Sequence, residues 1–213
     1  MRNLTVLALA TVLLAGHARA ESTDELWYIV SLQGQPSGWA VAREKTIDGK
    51  IVSEMTMKLS VSRGQTPIEI GVGTRFVETE DGRALRATTS QQLAIMSKQT
   101  ELIFHDDRIE MIITQAGRAY RKTLPPIDGD WLTPVSAQRY VMKQIEAGEK
   151  QITYRTFDPA SSMEPIEVTV KVDGPTTIES FGKVVPATKV RTSMSLMPGL
   201  ETVDYIDDRG RPL

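Results

Sequence analysis

Cysteine is absent from all 213 residues. That excludes a thiol nucleophile, a thiolate metal site and any disulfide, so the fold has to hold itself together by packing. Histidine is scarce too, with only His17 and His105. No Gly-x-Ser-x-Gly elbow accompanies His105, so nothing offers it a nucleophile to activate. Aromatic residues make up only 6% of the chain. No apolar run reaches the roughly 20 residues that a membrane-crossing helix needs. These absences leave no catalytic residue, no metal site and no cofactor to be named from the sequence.

What is present begins with a leader. In "MRNLTVLALATVLLAGHARA", Arg2 precedes an apolar run from Leu4 to Ala15, and Ala18-Arg19-Ala20 is a small-x-small cleavage pattern. Residues 1–20 are therefore expected to be a signal peptide. The rest would be an exported protein, periplasmic or extracellular, and soluble once the leader is removed. Losing the leader takes two of the 25 basic residues and none of the 27 acidic ones, so the formal net charge moves from −2 to −4. Such a chain offers no basic patch for nucleic acid.

Past residue 20, alternation of apolar and polar residues dominates. In "IVSEMTMKLSV", Ile51, Met55, Met57, Leu59 and Val61 share one face against Glu54, Thr56, Lys58 and Ser60. "PIEVTVKV" repeats the pattern with Ile166, Val168, Val170 and Val172. Strands of this kind have one buried and one wet face, so Met57 and Val168 are expected inside and Lys58 and Glu167 outside. Asp48-Gly49, Asp81-Gly82, Ala116-Gly117 and Asp173-Gly174 read as turns between such runs. The expected fold is mainly β, a curved antiparallel sheet or incomplete barrel. One substantial helix is expected at about 133–147, with Thr133 able to cap it, Pro134 in its first turn and Gly148 ending it. The span 21–213 reads as one β-rich domain, with two sub-sheets dividing near 124–149.

Three groups of side chains invite a functional reading. "FHDDR", residues 104–108, sets His105 beside Asp106 and Asp107. Neighbouring strand residues point to opposite faces, and paired aspartates suit a hairpin tip better than a metal site. "DYIDDRG" likewise lacks the spacing of a calcium loop. Trp39, Met55, Met57 and Met111 carry large, soft apolar groups that would either fill a core or line a cleft for an apolar ligand.

Several stretches together resemble a known kind of domain. "WYIVSLQGQPSGWAVAREK", "LSVSRGQTPIEI", "ETEDGRAL", "YRTFDP" and "DYIDDRGRPL" follow one another in an order similar to the exported β-rich domain that precedes a transglutaminase-like domain in some bacterial proteins. The resemblance spans most of residues 26–213 and rests on glycines, turns and alternation. It implies a non-catalytic accessory domain whose partner, a papain-like domain with catalytic Cys, His and Asp, would lie downstream in the same polypeptide. A second resemblance, in architecture alone, is to the half-barrels of periplasmic lipoprotein carriers, and it implies a lipid or lipoprotein-binding protein with an apolar cleft. "ETEDGRALRA" (78–87) and "DYIDDRGRPL" (204–213) also echo each other, each joining an acidic strand end to a turn, an arginine and a leucine. The second echo stops at Leu213 where the first launches a strand, so a C-terminal truncation is expected.

Overall fold

Eight strands follow one another as an antiparallel meander in which each pairs with its sequence neighbours. They are β1 (Thr23–Leu32), β2 (Gln35–Ile47), β3 (Lys50–Arg63), β4 (Thr66–Thr79), β5 (Ala84–Leu93), β6 (Met96–Phe104), β7 (Ile109–Gln115) and β8 (Arg118–Leu124). The helix α1 (Pro134–Glu146) comes next. A second antiparallel sheet closes the chain: β9 (Gln151–Thr156), β10 (Ile166–Ser180), β11 (Lys183–Met194) and β12 (Glu201–Ile206), with β12 and β9 at its edges. This computed structural model describes residues 23–32, 35–63, 66–93, 96–180, 182–199 and 201–213; the leader expected at 1–20 lies outside them.

The mainly β fold with one helix is as the alternation predicts, and the strands divide into two sheets across residues 125–150. Tight turns at Asp48-Gly49 and Ala116-Gly117 carry positive φ at both positions, which fits the right-handed twist of the hairpins they close. Asp173-Gly174 differs from expectation: it is no turn. Strand β10 runs straight through it, and the ladder to β11 slips between Val172 and Gly174, whose φ of 120° makes a bulge. Strand β8 carries no sequence signal because nearly all of "RAYRKTL" is exposed, leaving nothing to alternate.

Two apolar clusters hold the layers. Under the large sheet, Phe76, Ala87 and Leu102 stand opposite one another on β4, β5 and β6 and pack with Ile109 and Phe157. Phe104 and Trp131 extend this cluster, their ring centroids 6.0 Å apart. Under the small sheet, Ile152, Val168, Val170, Val190 and Ile206 meet Tyr140, Val141, Met142 and Ile145 of α1. A fully buried leucine or phenylalanine contributes roughly 1.5–3 kcal/mol to such a core. Val168 is buried and Lys58 and Glu167 are exposed, as expected, but Met57 is only half-buried. It lies on the inner face of the large sheet away from α1, where exposed Gln91 and Lys98 continue its row across β5 and β6 and show that no layer covers it.

The outer face of the large sheet is held differently. Glu25, Arg43, Glu54 and Arg75 face one another in a single row across β1–β4. Arg43 pairs with Glu25, and Arg75 donates to Glu54 at 2.9 Å. Exposed pairs of this kind contribute little each, but alternating signs favour this register over slipped ones.

Candidate functional site

The inner face of β1–β4 is broader than the elements that cover it, and a cleft of about 620 Å³ remains. Register places its floor. Leu26 stands opposite Ala42, Ala42 opposite Met55, and Met55 opposite Thr74, with Tyr28, Val72 and Phe76 on the same face. The remaining lining comes from Arg43, Glu44, Ser53, Glu54 and Arg75 of β2–β4, from Thr156 and Phe157–Ser161, from Pro134 and Gln138 of α1, and from Arg211 and Pro212. The exposed lining is largely apolar, the character of a pocket that takes a hydrophobic group rather than one that performs proton transfer.

Local chemistry shapes the segment facing the floor. The Asp158 carboxylate accepts from the Ala160 N–H at 3.0 Å and the Ser161 hydroxyl at 2.6 Å, while its carbonyl accepts from the Ser161 and Ser162 N–H groups. This Asx-type turn holds Pro159 and Ala160 over the sheet. At the other end Tyr28 donates to the Pro212 carbonyl at 3.4 Å, tying β1 to the C-terminal turn. Burial raises the Tyr28 phenol above its usual pKa; the nearby Arg211 charge opposes that shift and Asp207 adds to it. The group is a neutral donor at ordinary pH.

Helix α1 borders the cleft and is anchored by a residue distant in sequence. Thr133 occupies the N-cap position, but its side chain does not cap the helix. The cap is Glu78, fully buried at the end of β4. Its carboxylate accepts from the Thr133 hydroxyl at 2.7 Å, the Val135 N–H at 3.3 Å and the Ser136 hydroxyl at 3.4 Å. A carboxylate there satisfies helix N-terminal donors and meets the positive end of the helix dipole.

The four residues that the sequence offers as a cleft are not brought together. Met55 lines the cleft, with 45% of its surface exposed. Met57 is two residues along the same face and outside it. Trp39 is on the opposite face, its ring 5.4 Å from that of Trp27 and beneath the Lys58 ammonium. Met111 packs against the Phe76–Leu102 core. Sequence reasoning missed Tyr28, Phe76 and Phe157, because only register across β1–β4 and the return of residues 156–161 assemble them. Asp106 and Asp107 form the tip of the β6–β7 hairpin, where the His105 N–H donates to the Arg108 carbonyl at 2.9 Å and the His105 ring lies 3.4 Å from Glu110. Among the described residues no group of three or more His, Asp and Glu is placed to hold a metal ion, and no helix is long and apolar enough to cross a membrane.

Set against protein-family models, curated proteins and solved structures, the chain matches none.

Proposed function

We propose that this is an exported binding protein that holds the apolar part of a lipid or acylated molecule in the cleft between β1–β4 and residues 157–161. The carrying observation is the cleft itself, about 620 Å³ with an apolar floor of Leu26, Ala42, Met55, Val72 and Phe76. Burying an acyl chain there removes apolar surface of both partners from water, at roughly 25 cal/mol per Å² before the costs of association. The uncharged dye N-phenyl-1-naphthylamine tests the reading, since its fluorescence rises in an apolar site. The wild-type protein should bind it saturably. Met55→Glu, which sets a charge on the floor at a half-exposed position, should weaken binding about tenfold or more and leave the circular dichroism spectrum unchanged. No fluorescence enhancement with the wild type discards the reading.

A second reading is that the chain is a non-catalytic accessory to a transglutaminase-like domain. It draws on β12, an edge strand with Val203 half-exposed, because an open strand edge offers hydrogen bonds to a neighbouring domain. Co-purification with such a domain, lost when Val203 is replaced by lysine, would favour it over the carrier.

A further inference from the structure

One polar atom stands out against the cleft. The Ser53 hydroxyl is buried and has no hydrogen-bond partner, alone in this among the described side chains. Buried hydroxyls are nearly always satisfied, and leaving one without a partner destabilises the fold. Ser53 is on the inner face of β3 among the residues that line the cleft. Met55 follows two residues along the same face, and its flexible, half-exposed thioether has room to swing aside as a chain enters.

We infer that Ser53 donates to the carbonyl oxygen of an acyl ester or amide whose hydrocarbon chain fills the cleft. This deepens the apolar-ligand reading and rests on it. Two neighbours set the selectivity. In register across the sheet, Ser53 stands between Glu44 of β2 and Phe76 of β4. Glu44 also lines the cleft, is exposed, and pairs with no cation among the described residues. A free fatty-acid carboxylate placed at Ser53 would therefore meet a like charge on the adjacent strand. A neutral carbonyl accepts the same hydrogen bond without that repulsion. The site thus favours ester- or amide-linked acyl groups over free acids, and over plain hydrocarbon of equal length. The hydroxyl that no group of the protein satisfies is the donor that the ligand meets.

The experiment is displacement of N-phenyl-1-naphthylamine by methyl decanoate, decanoate and decane, using the wild type, Ser53→Ala and Glu44→Gln. Methyl decanoate should displace the dye about five- to tenfold more effectively than decane from the wild type, as expected for one hydrogen bond. Ser53→Ala should bring that ratio close to one, with the melting temperature equal or higher, because an orphaned hydroxyl has been removed. Glu44→Gln should raise the affinity for decanoate severalfold relative to that for methyl decanoate. If Ser53→Ala keeps the ester preference, or melts well below the wild type, the hydroxyl is not a ligand donor and the inference is overturned while the apolar site stands. If the wild type binds no dye, both fall together.

Discussion

The turns at 79–83 and 207–211 share one backbone and differ in what they hold. In the first, the Thr79 N–H donates to the Arg83 carbonyl, the Gly82 N–H to the Thr79 carbonyl, and the Arg83 N–H to the Thr79 hydroxyl. In the second, the Asp207 N–H donates to the Arg211 carbonyl, the Gly210 N–H to the Asp207 carbonyl, and the Arg211 N–H to the Asp207 carboxylate. Both glycines sit at positive φ, 89° and 77°. Both turns also abut α1: the Arg139 guanidinium donates to the Glu80 carbonyl at 2.9 Å, and the Gln138 amide to the Arg209 carbonyl at 2.6 Å. The residue just before each turn is where they part. Glu78 brings a buried carboxylate to the helix N-terminus, whereas Ile206 brings a methyl-rich side chain to the core beneath the helix. Turn geometry is thus separable from turn purpose, which resides in one preceding side chain.

The largest effect should come from removing the polar anchor. Glu78→Ala strands the Val135 N–H in a buried site and leaves the Thr133 hydroxyl only a long bond to the Gly82 carbonyl at 3.4 Å, and it should cost roughly 2–4 kcal/mol in chemical denaturation, with Glu78→Gln keeping part of the loss. Next come the glycines. An added Cβ at Gly82 would collide with the short Ser136 side chain, whereas at Gly210 it would meet the flexible Met142 at 2.8 Å. Both substitutions pay the strain of a left-handed residue, about 1–2 kcal/mol, so Gly82→Ala should lower the melting temperature further than Gly210→Ala. Equal losses would show that the two turns contact the helix alike.

Acid separates the turns more finely. Asp207 is subject to burial, which raises its pKa, but bonds from the Arg211 N–H and guanidinium and from the Arg209 N–H outweigh this and hold the pKa below the usual 3.8. A carboxylate depressed in the folded state adds stability above its unfolded pKa and loses it as the pH falls through the folded value. Asp207→Asn should therefore destabilise by about 1 kcal/mol near pH 7, with the gap to wild type narrowing below about pH 4; a constant gap from pH 7 to 3 contradicts this. The smallest effect is expected at Arg139→Ala, whose exposed bond to Glu80 should be worth about 0.5 kcal/mol.

The echo between 78–87 and 204–213 was legible because a five-residue turn is a local matter, set by a first-position acceptor, a fourth-position glycine and the arginine that follows. The helix was legible for the same reason, through Pro134 in its first turn and Gly148 just past its end. What stayed hidden depends on distance along the chain. Thr133 has the chemistry of a cap, but Glu78, fifty-five residues earlier, takes its hydroxyl. Met55 and Met57 look alike in sequence, and only the edge of the covering layer decides that one lines the cleft and the other lies beyond it. Ser53 falls by alternation on the apolar face with Ile51 and Met55, but nothing in the sequence shows that its hydroxyl is left without a partner there.

Helix α1 also sets an order of events in folding. The hairpins of the large sheet close short loops, and each can form from its own residues in microseconds. The helix cannot be fastened that way: its bonds to Glu78 and to the Arg209 carbonyl span 55 and 71 residues in opposite directions along the chain. The first becomes available once β4 is in place, while the second waits for nearly the whole chain, with the loop-closure entropy that this entails. Amides at the N-terminal turn of α1 should therefore gain exchange protection before those that depend on the 207–211 turn, and in the native protein the latter should be the first to open.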